Sequence, residues 1–286
     1  LFMIIWLASY PKSGNTYLRA FLAAYYFQKK GEFDFGLLDN IKQFPSEEFI
    51  TNKVNDITQA SRLWIETQKK INKDKKVRFL KTHNCISNID GNIFTSNETT
   101  LGAIYIVRDP RNVFTSIKNH FSYDDEKVLE MMLDKNRCLI TGNSKDKRSI
   151  SFISSWGQNY LSWRKYNKIR RLFIKYEDLI NNKYETFRDI VVFINTLMNN
   201  IESVDKNKLH QAIKTTNFDT LKNKEIDNKI QNSDSGFKKW RNYHNENKNY
   251  FFFLGSENKW EKFLKKDVQN KIEKSFRDEM NLLKYI

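Results

Sequence analysis

The segment from Ile4 to Arg19, IIWLASYPKSGNTYLR, constrains this chain more than any other. Ile4, Ile5, Trp6 and Leu7 make a short apolar run that reads as a buried strand. The run breaks at Ser9-Tyr10-Pro11 into a polar turn with Lys12, Ser13, Gly14, Asn15 and Thr16. A helical pattern follows at once. Strand, tight glycine-containing turn and helix N-terminus together aim backbone N–H groups and the positive end of a helix dipole at one spot, which suits a phosphate. Residue order narrows the choice of ligand. The Walker A loop, G-x-x-x-x-G-K-[ST], places its Lys after the second Gly, whereas Lys12 precedes Gly14 and no Gly stands five residues before it. That order speaks against an ordinary ATP or GTP loop. A plain strand-turn-helix junction with a solvated lysine remains the alternative for this segment taken alone.

Strand-like runs recur at Ile4–Ala8, Val77–Lys81, Ala103–Val107 and Leu172–Tyr176. Helical patterns separate them, at about Thr16–Phe27, Ser46–Lys70, Pro110–His120, Ser149–Lys168 and Tyr184–Met198, and an amphipathic helix is predicted near Lys262–Leu283. Short, nearly continuous apolar strands alternating with helices predict an α/β fold, a single domain whose central parallel sheet is flanked by helices. A chain of 286 residues can bury a sizeable core, and 22 Phe, 13 Tyr and 6 Trp exclude a disordered sequence. Polar, weakly periodic stretches at Asp34–Gln43, Asp134–Lys147 and Asn223–Gly236 read as loops.

The net charge of +15 favours anionic partners, yet many lysines sit in Lys/Asn-rich stretches such as Lys69 to Lys76 that read as solvated helix ends, so no nucleic-acid partner is expected. Cys85 and Cys138 have no paired spacing, which argues against a zinc site or disulfide framework and suits a reducing, cytoplasmic setting. The apolar start, Leu1 to Ala8, lacks the pattern of a signal peptide, and no apolar run reaches the length of a membrane span.

Two further segments place chemistry at strand ends. In Ile104 to His120, strand residues deliver Arg108 to the carboxyl edge of the sheet, and Pro110 opens a helix that carries Ser116. Ligands bind at that edge of an open parallel sheet, and an Arg there can fork onto a phosphate while a Ser hydroxyl adds a donor. The bland alternative pairs Arg108 with Asp109 or Glu177. In Phe79-Leu80-Lys81-Thr82-His83, another strand presents Lys81 and His83 at its end. A His with an unperturbed pKa of about 6.5 can take a proton from an alcohol there, while the Lys supplies charge to a transferring group.

Taken together, these residues make the chain resemble the sulfotransferases that use 3′-phosphoadenosine 5′-phosphosulfate, PAPS, and in compactness the bacterial small-molecule members. The likeness rests on Tyr10 to Thr16, on Lys81-Thr82-His83, and on the strand-helix element with Arg108 and Ser116. It continues through Ser155-Trp156 and Trp163, Tyr176-Glu177-Asp178 and Thr216-Asn217-Phe218. It implies one sulfotransferase domain over residues 3–286, of P-loop nucleotide-kinase-like fold. It implies that Lys12 neutralises the departing oxygen, that Ser13, Gly14, Asn15 and Thr16 donate to the 5′-phosphate, and that Tyr17 stacks on adenine where the family usually has Trp. Arg108 and Ser116 would hold the 3′-phosphate, with Tyr176, Thr216 and Phe218 bordering the nucleotide. His83 would be the general base and Lys81 a second charge on the sulfuryl group, with no metal required. The acceptor would be a small-molecule or peptide-derived hydroxyl, or an amine.

The chain departs from the family at the Arg-Lys-Gly element that stands there shortly before a Gly-Asp-Trp. Only Ser235-Gly236-Phe237-Lys238-Lys239-Trp240-Arg241 is found, which leaves Lys238, Lys239 and Arg241 as candidates for the 3′-phosphate. Two alternatives stand beside this expectation: a P-loop nucleotide kinase or other phosphotransferase, and a non-catalytic module binding anions or nucleic acid.

Overall fold

The computed structural model describes residues 3–142, 148–226, 252 and 254–286. β1 (Ile4–Ser9) runs into the turn and α1 (Asn15–Phe27), as the sequence predicts. A 3-10 turn over Phe35–Asn40, the short β2 (Lys42–Gln43) and two helices, α2 (Ile57–Arg62) and α3 (Trp64–Ile71), lead to β3 (Arg78–Thr82). A small pair of strands, β4 (Asn88–Ile89) and β5 (Asn92–Ile93), precedes β6 (Thr100–Val107), which delivers α4 (Pro110–Phe121) and α5 (Asp125–Leu133). The antiparallel pair β7 (Cys138–Thr141) and β8 (Ser149–Phe152) is followed by α6 (Trp156–Lys165) and β9 (Arg170–Lys175). Then come α7 (Tyr176–Asn181), α8 (Lys183–Leu197), α9 (Lys206–Thr215) and α10 (Phe218–Ile226). Short helices over Trp260–Phe263, Lys266–Ser275 and Arg277–Leu282 follow.

Among the described residues, the central sheet is parallel with strand order β2-β3-β1-β6-β9. The chain winds to one side of β1 through β3 and then to the other through β6. The carboxyl end of β1 is therefore the place where the winding direction reverses and a crevice opens. Register aligns Ala8 with Thr82 and Ser9 with Ile106, so the residues just past three strand ends converge there.

The apolar runs are nearly continuous because both faces of the sheet are covered. Trp6 and Ala8 pack into one core with Tyr105 and Val107, whereas Ile5 and Leu7 pack into the other with Ile104 and Ile106. Each fully buried aliphatic side chain contributes on the order of 1.5–3 kcal/mol. On the first face, the Trp6 indole N–H donates to Thr100 Oγ1 at 2.8 Å, satisfying the polar atom of a fully buried ring.

Three expectations needed revision. The helix predicted over Ser46–Lys70 is two shorter ones, because Asp56 caps α2 by accepting from Gln59 N–H and the helices meet at Leu63. The amino-terminal part of the helix predicted over Ser149–Lys168 is strand β8. Its Ser-Ile-Ser-Phe pattern has period two, Ser154 takes a positive φ of 55°, and Ser155 then caps α6 through Gln158 N–H. The terminal amphipathic pattern near Lys262–Leu283 is broken into the short helices named above. No helix among the described residues is long and apolar enough to cross a membrane.

Candidate active site

Lys12 and Gly14 both take left-handed backbone conformations, with φ of 65° and 100°. At Gly14 this freedom is needed twice over. A Cβ there would stand 2.3 Å from Tyr176 Cδ2, so only glycine lets the Tyr176 ring close onto the loop. Asn15 ties the other side of the turn to β1, its Nδ2 donating to Leu7 O at 2.8 Å and to Ser9 Oγ at 3.2 Å. With its side-chain nitrogen so committed, Asn15 is left to meet an anion through its backbone N–H. α1 starts without a side-chain cap, which suits its first N–H groups to an anion. Gly14, Asn15, Thr16 and Tyr17 line a cavity of about 380 Å³ together with Lys12, Lys81, His83, Arg108, Ser116, Tyr176 and Phe218.

Lys81 and His83 reach the cavity from the end of β3. Burial lowers the Lys81 ammonium to about 7, helped by Arg19 and Lys12. Burial and Arg108 likewise bring Lys12 to about 7, against an opposing pull from Glu225. His83 is pushed well below its usual 6.5 by burial and then by Lys81, so the ring is neutral at physiological pH. Its Nδ1 lies 2.8 Å from Ser9 O, which can only accept, so Nδ1 carries the proton and Nε2 keeps its lone pair. The backbone beside this ring is held from α6. Asn159 Nδ2 donates to His83 O at 2.9 Å while Asn159 Oδ1 accepts from Tyr105 Oη at 2.8 Å, and the Trp163 indole donates to Asn84 O at 2.9 Å.

Arg108 follows β6 directly. Its Nη1 donates to Lys12 O at 3.2 Å, and the guanidinium lies 4.2 Å over the Tyr176 ring. The predicted alternative pairing with Asp109 or Glu177 is not formed. Asp109 binds Arg111 at 2.7 Å and Glu177 accepts from Asp109 N–H at 3.2 Å. Ser116 lines the same cavity from α4. Ser13 Oγ, Tyr17 Oη and Arg108 Nε are buried without hydrogen-bond partners among the described residues. Tyr17 and Arg108 line the cavity, and the orphaned polar atoms of these two residues fit a polar or anionic ligand there.

Thr216 is fully buried and its hydroxyl donates to Ala212 O at 2.7 Å, so it ends α9 rather than lining the cavity. Ser13 also lies outside the lining, at 1% exposure, its backbone N–H donating to Tyr10 O at 3.4 Å. Lys238, Lys239 and Arg241 lie outside the described residues. Sequence reasoning missed the wall built by Phe252, Leu254, Gly255 and Asn258. Asn258 is strapped to α4, accepting from Thr115 Oγ1 at 2.7 Å and donating to Asn112 O at 3.0 Å. Leu139, Ile140 and Thr141 of β7, within the stretch read from sequence as a loop, form another side of the cavity with Phe121. Of the aromatics in the loop after α1, Phe33, Phe35 and Phe44 are core residues.

A parallel α/β sheet carries at its switch point a lysine-before-glycine loop, a histidine and lysine from the end of β3, and an arginine directly after β6. The chain belongs to the sulfotransferase domain family, which matches residues 4–284. Luciferin sulfotransferase from Photinus pyralis is 23% identical over 245 residues, covering 81% of this chain. The chain spans 60% of the length of that relative. Two crystal structures of retinol dehydratase, one with androsterone and the inactive cofactor PAP and one with retinol and PAP, share the fold. Their TM-scores are 0.59 and 0.58 at 14% and 15% identity, covering 97% of this chain and 80% and 81% of theirs.

Proposed function

We propose that the protein is a sulfotransferase that uses PAPS as sulfuryl donor and a small-molecule hydroxyl, or amine, as acceptor. The observation that carries this reading is that Lys12, Lys81, Arg108, Ser116 and a neutral His83 line one cavity, enough to build two anion sites beside a base. Lys12, Lys81 and the α1 N-terminus make the first site; Arg108 and Ser116 make the second. An adenosine 3′,5′-bisphosphate framework presents anions at both ends of one ribose, whereas ATP presents its charge on one side only. When bound, PAPS supplies an activated sulfuryl group on a good leaving phosphate.

The chain's own residues account for the rest. Backbone N–H groups of the Gly14–Thr16 turn and the Lys12 ammonium hold the 5′ end and counter the charge that grows on the departing oxygen. Lys81 would supply a second positive charge to the transferring group. His83 receives the acceptor proton at Nε2, and its Nδ1–H, anchored on Ser9 O, holds the ring in the tautomer that can do so. Tyr17 and Phe218 supply ring surface for the base, Tyr17 itself being braced edge-on by Phe187 at 5.5 Å. Arg108 and Ser116 select for the 3′-phosphate. The apolar side formed by Phe121, Leu139 and Ile140 suits an acceptor with hydrocarbon or aromatic surface. Free thiols at Cys85 and Cys138 agree with a cytoplasmic setting.

A test follows from the source of the counter-charge, which is protein cations. PAP binding should be unchanged by EDTA, and labelled PAPS should yield a sulfated product from phenolic acceptors, detected by mass. Preferential binding of ATP with magnesium, followed by phosphoryl transfer, would favour the kinase alternative instead.

The lowered lysines add a pH signature. Lys12 and Lys81 are each half-protonated near pH 7 in the free protein, and a bound polyanion raises both. Binding therefore takes up protons, and PAP affinity should fall as pH rises above about 7, by up to roughly tenfold per pH unit for each lysine. Calorimetry in buffers of different ionisation enthalpy reads this uptake directly. A flat affinity between pH 7 and 9 with no proton uptake would remove both lysines from the anion site.

A further inference from the structure

Arg108 is followed directly by Asp109, and its charge acts on the Glu177 carboxyl; either carboxylate would ordinarily neutralise it. Both are engaged elsewhere. The Asp109 carboxylate takes Arg111 Nε at 3.0 Å and Nη2 at 2.7 Å. Arg111 is in turn locked by Glu273 Oε1 at 2.8 Å, by Tyr285 O at 3.0 Å and by the Trp260 ring, 4.0 Å beneath it. Glu177 Oε1 accepts from Asp109 N–H, and Glu177 Oε2 accepts from Tyr285 Oη at 2.9 Å. Burial raises the Glu177 carboxyl, while these donors and the nearby Arg108 charge pull it back, so Glu177 and Arg108 already sense each other.

We propose that Arg111 and Tyr285 are positioning residues that hold Asp109 and Glu177 away from Arg108, so that its guanidinium stays available to the second anion of a bisphosphorylated nucleotide. Residues of the C-terminal segment thereby set the selectivity of a site on the far side of the sequence. Without the Tyr285 hydroxyl, Glu177 Oε2 loses its donor, and the Arg108 charge that already acts on this carboxyl is left to draw it. A carboxylate on Arg108 competes directly with a phosphate for the same fork of N–H groups.

This proposal rests on the nucleotide reading above, and the experiment separates the two. Dissociation constants for PAP and for AMP, which lacks the 3′-phosphate, are measured by calorimetry on the full chain. Wild-type protein should prefer PAP; equal affinity for the two ligands would overturn the nucleotide reading and this proposal with it. If wild-type protein does prefer PAP, Tyr285→Phe should weaken PAP by about tenfold and leave AMP within about twofold, and Tyr285→Phe with Glu177→Gln should recover the loss because an amide carries no competing charge. Arg111→Lys keeps the charge but not the two-nitrogen grip on Asp109, and it should shift the PAP to AMP ratio in the same direction. Equal weakening of both ligands in these variants, or no weakening of PAP, would overturn the positioning role while leaving the nucleotide reading intact.

Discussion

His83→Ala should lower the turnover number by roughly 10²–10⁴-fold while leaving PAP affinity within about twofold of wild type. The expectation follows from where the ring is anchored. Its Nδ1 is bonded to Ser9 O, and its backbone carbonyl is held by Asn159 from α6, so the imidazole has a fixed pose with Nε2 as its only acceptor. Because burial and Lys81 push its pKa well below 6.5, the base stays unprotonated down to acid pH. The wild-type rate should thus show no loss attributable to His83 between pH 8 and about 6.5. Single-turnover sulfation with saturating donor checks the rate, and calorimetry with PAP checks that the nucleotide site survives. A variant that keeps near-normal turnover would remove His83 from the proton path, and a parallel loss of PAP affinity would make its role structural.

Gly14→Ala should abolish measurable PAP binding and destabilise the fold by roughly 2–4 kcal/mol. Two independent costs add at this position. A side chain at φ of 100° is strained in itself, and the new methyl would lie 2.3 Å from Tyr176 Cδ2. Relief by moving Tyr176 would strip the ring from beneath Arg108, so the damage spreads from the first anion site to the second. Combining Gly14→Ala with Tyr176→Ala separates the costs. Thermal unfolding should recover the part due to the clash, and the part due to φ should remain, about 1–2 kcal/mol. Full retention of PAP affinity in Gly14→Ala would mean that the close approach of ring and loop does not shape the site.

The parts of this site legible in the sequence are those that local chemistry specifies. β1 could be read because a strand buried on both faces needs an unbroken apolar run, and Ile4 to Leu7 supply one. Lys12, Lys81, His83 and Arg108 could be read because a polar or charged residue directly after such a run falls at the carboxyl edge of a parallel sheet. The β7 and β8 pair escaped because Cys138–Thr141 is short and adjoins a polar stretch, while the Ser-rich start of β8 resembles a helix cap more than a strand. The wall around Asn258 escaped for a different reason. Its contacts to Asn112 and Thr115 close over more than a hundred residues, and a contact of that range leaves no periodicity behind. The choice between a paired and an available Arg108 was open for the same cause, since it is settled by Glu273 and Tyr285 near the other end of the chain.

Ser9 joins the two halves of the chemistry at a single residue. Its hydroxyl accepts from Asn15 in the phosphate loop, and its carbonyl holds Nδ1 of His83. In the proposed mechanism, the separation between the group that steadies the leaving oxygen and the group that takes the incoming proton is therefore set by one buried strand end. The apolar side of the cavity, by contrast, comes from β7 and the end of α4, outside that frame. Under the proposed function, such a layout makes substrate preference separable from reactivity: sequence drift or deliberate redesign at Phe121, Leu139 and Ile140 would change which molecule is accepted without disturbing the loop and the histidine that Ser9 joins.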